Sequence, residues 1–165
     1  MSQALPAAPV FRVGLISDTH GLVREEAIVV LSGCRHVIHA GDVDTPEVLN
    51  RLKRIAPVTA VRGNNDRGTW AQSLPEFEVV EFGSVSIYVR HDRSELDIDP
   101  AGARFRVMVF GHSHRPVIES RDGILLVNPG SAGPRRFRLP VTVGELLITG
   151  AHVEARIVEL AAAAS

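Results

Sequence analysis

Residues 11–42 read FRVGLISDTHGLVREEAIVVLSGCRHVIHAGD and contain two apolar runs of strand length, Phe11–Ser17 and His36–Ala40. Between them, apolar residues recur at helical spacing from Leu22 to Ser32, and Gly33 follows as a C-terminal stop. Strand, helix and strand in this order are typical of a parallel βαβ unit. We therefore predict an α/β fold with a sheet built around these two strands.

The same pattern continues once more and then changes. A second helix is expected after Asp44 or Thr45 as its cap, with Pro46 in the first turn, and a third strand at Val58–Val61. No helical pattern is seen at 93–104, and an apolar run follows at Val107–Phe110. Turn signals predict three hairpins, which pair Phe77–Phe82 with Val85–Arg90, Val117–Ser120 with Ile124–Val127, and Val141–Thr149 with His152–Val158. Hairpin edges such as Val141–Thr149 could pair between chains, so a homo-oligomer is an open expectation.

Length and charge narrow the function classes. The 165 residues suit one domain, 1–165, with residues 1–9 as a flexible tail. Eighteen basic and nineteen acidic residues give a net charge of −1, which disfavours a nucleic-acid partner because such proteins usually carry a basic excess. No apolar run approaches the ~20 residues that span a bilayer, so no membrane partner is expected. The lone Cys34 and the absence of a signal-like start favour the cytoplasm.

Polar side chains able to bind metal follow five of the predicted strands. Strand ends of an α/β sheet converge on one crevice, so residues far apart in sequence can meet there. Glycines precede three of these residues, at Gly41, Gly63 and Gly111, where the backbone could turn sharply or approach an ion closely. The seven candidate ligands are Asp18, His20, Asp42, Asn64, His91, His112 and His114.

This ligand set indicates a particular chemistry. Four imidazoles with two carboxylates and one amide suit Mn, Fe, Co, Ni or Zn, whereas Mg or Ca would call for oxygen ligands alone. Seven donors exceed what one ion needs. If Asp42 bridges, the other six divide three and three, and two ions ~3.5 to 4 Å apart form the clamp used for displacement at phosphorus. The residues therefore point to a hydrolase of phosphate esters.

Five motifs resemble, in order and spacing, those of the calcineurin-like metallophosphoesterases, specifically the small bacterial and archaeal phosphodiesterase branch. The resemblance covers about residues 12–136. The motifs are SDTHG at 17–21, HAGD at 39–42, RGNND at 62–66, GHSHRP at 111–116 and NPGSAGPR at 128–135.

The resemblance implies a four-layer αββα sandwich, with two mixed β-sheets flanked by helices, as in metallo-dependent phosphatases. It also implies two divalent metal ions, with manganese the first choice. One ion would be held by Asp18, His20 and His114, the other by Asn64, His91 and His112, and both by Asp42. A hydroxide that bridges the two ions would be the nucleophile.

Two positions depart from the family pattern. Relatives that act on phosphoproteins carry a histidine directly after the motif asparagine, and this chain has Asn65 there. Without that general acid we expect a strong dependence on leaving-group pKa. The family usually has glycine after the third ligand strand, whereas this chain has Asp92, which either orients His91 or crowds the site.

Further roles follow from the same motifs. Asn64, Asp66 and His91 are candidates for a direct catalytic role, although Asp66 could equally hold the Asn64 loop. Candidate substrate contacts are Asn65, Arg115 and Arg135. The two arginines are candidates because guanidinium groups suit phosphate geometry. Arg136 is a further candidate with a solvated face as the commoner alternative.

The resulting expectation is a binuclear phosphodiesterase acting on small phosphate diesters, with nucleotides and cyclic nucleotides among the candidate substrates. One alternative is a nuclease, which the near-zero charge disfavours. The other is a non-catalytic protein-binding scaffold, as in the retromer subunit of this fold type. All seven ligand positions hold residues able to coordinate metal, which argues against a scaffold.

Overall fold

The computed structural model describes residues 10–96, 99 and 102–160 of the chain, so the tail expected at 1–9 lies outside the described residues. Within these residues, two α-helices interrupt the strands of the first half, α1 (Glu25–Leu31) and α2 (Pro46–Lys53). The strands in chain order are β1 (Val10–Ile16), β2 (His36–His39), β3 (Val58–Ala60), β4 (Phe77–Phe82), β5 (Val85–Arg90), β6 (Val107–Val109), β7 (Val117–Arg121), β8 (Ile124–Asn128), β9 (Thr142–Thr149) and β10 (His152–Glu159).

The strands form two mixed sheets of five, which confirms the predicted α/β fold. The first has the order β10-β9-β1-β2-β3, and the second has the order β4-β5-β6-β8-β7. In the first sheet β1, β2 and β3 are parallel to one another, as the βαβ pattern predicts. Strand β9 is antiparallel to β1, and β10 is antiparallel to β9. In the second, β5, β6 and β8 are parallel to one another, with β4 and β7 as antiparallel edges.

The two sheets pack face to face through branched apolar side chains. Leu15, Ile38 and Ile148 from the first sheet lie in one buried cluster with Ile87 and Val109 from the second. Burial of such side chains stabilises the fold by about 1.5–3 kcal/mol each. This packing brings the carboxyl ends of strands from both sheets to one side of the molecule.

The helices cover only the outer face of the first sheet. Leu31 of α1 and Leu52 of α2 are fully buried in a cluster with Ile16 and Val37. On the outer face of the second sheet, the described residues include a short 3-10 turn at Arg93–Glu95, where the sequence lacks a helical pattern. Residues 97, 98, 100 and 101 of that connection lie outside the described residues.

The first helix begins three residues later than the apolar spacing predicts, at Glu25 instead of Leu22. The preceding N–H groups are engaged elsewhere: Gly21 N donates to Val43 O at 2.9 Å, and Leu22 N donates to Thr19 O at 2.9 Å. These bonds tie the loop after β1 to the loop after β2. The predicted stop at Gly33 is confirmed, since its φ is +86°.

One of the two predicted caps of α2 is confirmed, since the N-cap is Thr45, although its side chain makes no cap bond. The other candidate, Asp44, does not cap the helix, and its carboxylate faces His20 instead. One further detail of the predicted organisation is wrong. The strand expected to form an open edge, Val141–Thr149, becomes β9, which is paired on both sides. The edges of that sheet are β10 and β3, so any pairing with another copy through this sheet would use those strands.

In the part of the chain that the structure describes, no helix has the length and apolar character needed to cross a membrane.

Candidate metal centre

All seven predicted ligands lie together at the carboxyl ends of five strands. The loops after β1, β2 and β3 of the first sheet meet the loops after β5 and β6 of the second. Backbone bonds link these loops in pairs: Asp18 N donates to Gly41 O at 3.0 Å, and Gly111 N donates to His91 O at 2.9 Å. The side chains divide into two groups.

The first group is Asp18, His20 and His114. The Nε2 atoms of the two histidines are 3.3 Å apart, and Asp18 Oδ1 lies 3.3 Å from His114 Nε2. Asp18 is fully buried and His114 is buried, while the His20 side chain is 12% exposed. Three donor atoms thus converge on one point, away from bulk solvent.

The second group is Asn64, His91 and His112. Asn64 Oδ1 lies 3.0 Å from His91 Nε2 and 3.1 Å from His112 Nδ1. His91 is buried, whereas Asn64 is exposed and the His112 side chain is 47% exposed. The second group therefore forms the open side of the site.

Asp42 lies between the groups. Its Oδ2 is 3.3 Å from His91 Nε2 and 3.9 Å from His20 Nε2. Asp18 also faces both groups, because its Oδ1 is 3.9 Å from His91 Nε2. The carboxylates of Asp42 and Asp18 thus both face donors of the two groups.

The donor spacing fits metal coordination. Two ligand atoms that each lie about 2.1 Å from one ion are about 3.0–3.4 Å apart at tetrahedral or octahedral angles. The closest donor pairs in both groups, at 3.0 to 3.3 Å, fall in this range. Asp18 Oδ1 and His114 Nδ1 are buried without a hydrogen bond, and a buried carboxylate oxygen of this kind is expected to need a cation. The residues therefore fit divalent transition-metal ions.

The backbone is strained where the ligands lie. Positive φ is uncommon for residues other than glycine and clusters at functional sites, where the surrounding structure holds it. Five of the seven predicted ligands have φ between 45° and 72°, namely Asp18, His20, Asp42, His112 and His114.

Without cations, the aspartates and histidines of the site shift one another's pKa. Burial acts to raise the pKa of Asp42, but the contact with His91 outweighs it and lowers that pKa to about 2. Burial acts to lower the pKa of His91, but Asp42 and Asp18 raise it to about 9. For Asp18, contacts with His114 and His91 likewise outweigh burial and lower its pKa. The carboxylates are thus ionised and matched to positive charge.

Hydrogen bonds fix the ligand orientations. His91 Nδ1 donates to Ala40 O at 2.7 Å, which leaves Nε2 to face Asn64 and Asp42. Asp44 Oδ2 lies 3.2 Å from His20 Nδ1, so Nε2 of His20 faces the first group. Carboxylates and carbonyls behind a ligating imidazole set its tautomer and orientation.

Two of the predicted glycines are required by close approach. A Cβ on Gly63 would lie 2.1 Å from Asp42 Oδ1, and a Cβ on Gly111 would lie 2.1 Å from Ser17 Oγ and 2.7 Å from Asp18 Oδ2. Real Cβ atoms do not approach other atoms so closely. The loops can bring the ligands together only because these positions lack side chains.

Two neighbouring polar residues, Asp66 and Asn65, hydrogen-bond to the ligands and their loops. Asp66 accepts from Gly63 N and Asp44 N, both at 2.8 Å, so it holds the Asn64 loop, one of the two roles considered for it. Asn65 donates to Asp42 from both its backbone N, at 2.8 Å, and its side-chain amide, at 3.0 Å. A substrate contact by Asn65 stays a prediction.

Asp92 contacts a different histidine from the one the sequence suggested. Its Oδ2 lies 3.7 Å from His112 Nε2, and its Oδ1 accepts from Ser94 N at 2.9 Å. Asp92 therefore lies beside His112, at the open side of the site.

The arginines named as candidate substrate contacts lie outside the donor groups. Arg115 directly follows His114 and is exposed, and Arg135 is exposed on the loop after β8. Their contact with substrate stays a prediction.

Two further residues support the ligand loops, and of these only Asn128 was not singled out from the sequence. His39 is buried, and its Nδ1 accepts from Gly41 N at 3.1 Å while its Nε2 lies 3.0 Å from Thr19 Oγ1. Burial lowers its pKa to about 3, so it is a neutral structural group. Asn128 donates to Gly111 O at 3.0 Å and thereby supports the loop of His112 and His114. Its place in the NPGSAG motif was the available signal.

Comparison with known proteins agrees with this site. The model of the calcineurin-like phosphoesterase superfamily domain matches residues 11–150. A probable metallophosphoesterase of Methanothermobacter thermautotrophicus is 34% identical over 161 residues, covering 91% of this chain and 93% of that protein. A phosphodiesterase of Methanocaldococcus jannaschii is 28% identical over 137 residues, covering 72% and 82% of the two chains.

Among solved structures, vacuolar protein sorting 29 of Cryptosporidium parvum has a TM-score of 0.73 at 20% identity, covering 93% of this chain and 99% of the other. This likeness concerns the fold alone. The match to the family model and the relative that is 34% identical over 161 residues show the family: the chain belongs to the calcineurin-like phosphoesterase superfamily.

Proposed function

We propose that the protein is a binuclear metal-dependent phosphodiesterase that hydrolyses small phosphate diesters, with manganese as the preferred ion. The observation that carries the proposal is the position of Asp42 Oδ2, 3.3 Å from His91 Nε2 and 3.9 Å from His20 Nε2. This single oxygen lies within reach of both donor groups, as a bridging ligand must.

The two groups differ in what they would hold. Asp18, His20 and His114 would bind one ion on the buried side, and Asn64, His91 and His112 would bind the other on the open side. When bound, two such ions lower the pKa of water enough to ionise it near neutral pH and neutralise charge on phosphoryl oxygens. The protein's own part is to fix the donors and to keep Asp18 and Asp42 ionised.

Access favours attack from the open side. The buried Asp18 and His114 close the site on one side, while Asn64 and the half-exposed His112 face solvent. A phosphate diester would therefore enter past Asn64 and His112. A small substrate is consistent with the chain's charge of −1, because the ions can attract a single phosphate without a basic surface.

The site is poorly equipped to protonate the leaving group. Where some relatives carry a histidine, the Asn65 amide donates to Asp42 at 3.0 Å. Asp92 is held ionised: burial acts to raise its pKa, but hydrogen bonds from Ser94 lower it. We infer that good leaving groups such as aryl oxides depart readily and alkoxides depart slowly.

The relatives support the diester assignment. The phosphodiesterase of Methanocaldococcus jannaschii aligns with 72% of this chain, a region long enough to include every predicted ligand. We keep two further expectations as part of the proposal, that nucleic acid is not a partner and that the protein can form a homo-oligomer.

The test is metal analysis coupled to hydrolysis of bis(4-nitrophenyl) phosphate and 4-nitrophenyl phosphate with added Mn, Ni or Zn. We expect the diester to be preferred, and Asn64→Ala to lower its hydrolysis by about 100-fold or more because only one ion remains well held. Asn50→Ala, an exposed asparagine on α2, is the matched control and leaves activity unchanged.

Three results would contradict the proposal. An active Asn64→Ala variant that retains two ions would show that the ligand assignment is wrong. A wild-type protein without bound metal or metal-stimulated activity would favour the scaffold alternative, for which the fold shared with vacuolar protein sorting 29 gives a precedent. Cleavage of single- or double-stranded DNA with Mn would favour the nuclease.

A further inference from the structure

A short loop beside the metal centre exposes an aromatic ring among arginines. Residues 134–140 read PRRFRLP, with three arginines and no acidic residue. Phe137 is 93% exposed, which is the highest value among the large apolar residues that the structure describes. The ring contributes nothing to either sheet interface, so packing does not account for it.

The backbone holds Phe137 in an unusual conformation. Phe137 has a φ of +53° and lies in a turn closed by Leu139 N, which donates to Arg136 O at 3.1 Å. A bulky residue in the left-handed region is a genuine outlier that persists only where the surrounding structure enforces it. In this chain the same conformation is otherwise concentrated at the predicted metal ligands.

The loop is anchored on the metal centre at its start. Ser131 Oγ donates to Asp18 O at 3.1 Å, and a Cβ on Gly133 would lie only 2.4 Å from that same carbonyl. Phe137 is the fourth residue after Gly133, so its Cα lies at most ~14 Å from that of Gly133. The ring is therefore within the reach of a nucleotide-sized substrate.

A groove lies between the exposed ring of Phe137 and Arg115. Arg115, Phe137, Arg138 and Leu139 line an open depression of about 680 Å³. Arg115 directly follows the predicted ligand His114. The groove therefore lies beside the loop that carries His112 and His114, and it includes the exposed ring.

The arginines around this groove carry unbalanced charge. Arg12 and Arg156 elsewhere in the chain are paired with Glu145. By contrast, none of the described residues forms an ion pair with Arg115, Arg135, Arg136 or Arg138. In a chain with a net charge of −1, the two unpaired guanidinium groups that line the groove, Arg115 and Arg138, form a local site for anions.

We propose that this groove is a nucleoside subsite, in which Phe137 stacks on the base and Arg115 and Arg138 contact anionic oxygens of the same substrate. The inference rests on the proposed phosphodiesterase function and names its substrate class as nucleotide phosphodiesters. Stacking on an aromatic ring combined with guanidinium contacts is how proteins hold unpaired bases next to a phosphate.

The kinetic test compares two diesters with the same leaving group. Thymidine 5′-(4-nitrophenyl) phosphate and methyl 4-nitrophenyl phosphate both lose 4-nitrophenolate as the oxygen of water bonds to phosphorus. The first product is thymidine 5′-phosphate, and the second is methyl phosphate. The selectivity is the ratio of kcat/KM for the nucleotide to kcat/KM for the methyl ester.

We expect Phe137→Ala to lower this ratio by about 5- to 100-fold, the range for loss of one stacked base. Phe137→Trp keeps or raises the ratio, and Arg138→Gln lowers it less than Phe137→Ala does. Phe77→Ala is the matched control, because Phe77 is 52% exposed on β4 and stacks on Tyr88, and it leaves both activities unchanged.

A binding measurement gives a readout that is independent of catalysis. The wild-type chain has a single tryptophan, Trp70. We expect thymidine 5′-phosphate to quench the emission of the metal-free Phe137→Trp variant and to leave the emission of the metal-free wild type unchanged. Methyl phosphate should quench neither protein.

The outcomes distinguish failure of the proposed phosphodiesterase function from failure of the nucleoside subsite. Absence of hydrolysis of the methyl ester by the wild type with Mn overturns the proposed function. If the methyl ester is hydrolysed but the ratio is unchanged in Phe137→Ala and no quenching occurs, the nucleoside subsite is overturned. Oligothymidylate that binds more than about tenfold tighter than the mononucleotide would assign the groove to single-stranded nucleic acid instead.

Discussion

Asp44 orients His20, with its Oδ2 3.2 Å from Nδ1 of the imidazole. The other ring nitrogen of His20, Nε2, lies 3.3 Å from His114 Nε2 in the first donor group. The backbone N of Asp44 donates in turn to Asp66 Oδ1 at 2.8 Å. A carboxylate behind the imidazole fixes the ring and raises its basicity as a ligand.

We therefore expect Asp44→Asn to weaken metal binding about 10- to 100-fold, the usual range for losing such a partner. Isothermal titration of metal-free protein with Mn measures the change. The matched control is Asp122→Asn, because Asp122 also has positive φ, 53° against 72° for Asp44, but lies in the turn between β7 and β8. Equal affinities for the wild type and Asp44→Asn would show that Asp44 does not support the ligand.

Metal affinity should rise with pH. The pKa of His91 in the metal-free protein is raised to about 9, so at pH 7 its ring carries a proton that a metal ion must displace. For one such proton the affinity increases up to about tenfold per pH unit, until it levels off near pH 9. Titrations with Mn at pH 7, 8 and 9, in buffers of different ionisation enthalpy, measure both the affinity and the protons released. An affinity that is flat over this range with no proton release would contradict the coupling of His91 to Asp42 and Asp18.

Gly63→Ala adds a single methyl group, but we expect it to disturb the site more than so small a change suggests. The added Cβ would meet Asp42 Oδ1 at 2.1 Å and Asp42 N at 2.2 Å, and the backbone atom cannot give way as a flexible side chain could. We expect a loss of about 1–3 kcal/mol in unfolding free energy, together with loss of metal binding. Chemical denaturation and metal analysis measure the two effects.

Gly144→Ala is the control for that substitution. Its Cβ would lie 3.2 Å from Pro129 and 3.3 Å from Leu15, outside the donor groups, so metal content should be unchanged and any destabilisation smaller. If Gly63→Ala bound metal as the wild type does, the loop would not need the close approach to Asp42.

Leaving-group dependence tests the absence of a general acid. Across a series of methyl aryl phosphate diesters, log kcat should fall steeply as the pKa of the departing phenol rises, because nothing protonates the departing oxygen. General acid catalysis would supply about 100- to 10,000-fold for poor leaving groups. Added viscogen should leave kcat unchanged, which shows that chemistry limits the rate. Equal rates along the series under that condition would mean that a proton donor acts at the site.

The convergence of the candidate ligands could be predicted from the sequence because it depends on strand ends, whereas their binding of metal stays a prediction. Asp18, Asp42 and His91 each follow an apolar run, and parallel strands carry such residues to one edge. The sequence pattern therefore located the donors without any knowledge of their distances. The glycines at Gly63 and Gly111 were readable for the same reason, since each precedes a donor.

The supporting contacts were not readable, because they depend on loops. Asp44 stands before a helix, where aspartate is usually a cap, and its contact with His20 joins two loops that only the packed sheet brings together. The late start of α1 has the same origin, since Gly21 N bonds to Val43 O. The pairing of β9 on both sides also depends on long-range register with β1, which no local pattern specifies.

Diffraction from crystals soaked in Mn tests most directly whether two metal ions share Asp42. We expect two anomalous peaks about 3.5–4 Å apart, one next to His20 and His114 and the other next to His91 and His112, with Asp42 touching both. A single peak, or two peaks of which only one contacts Asp42, would contradict this expectation.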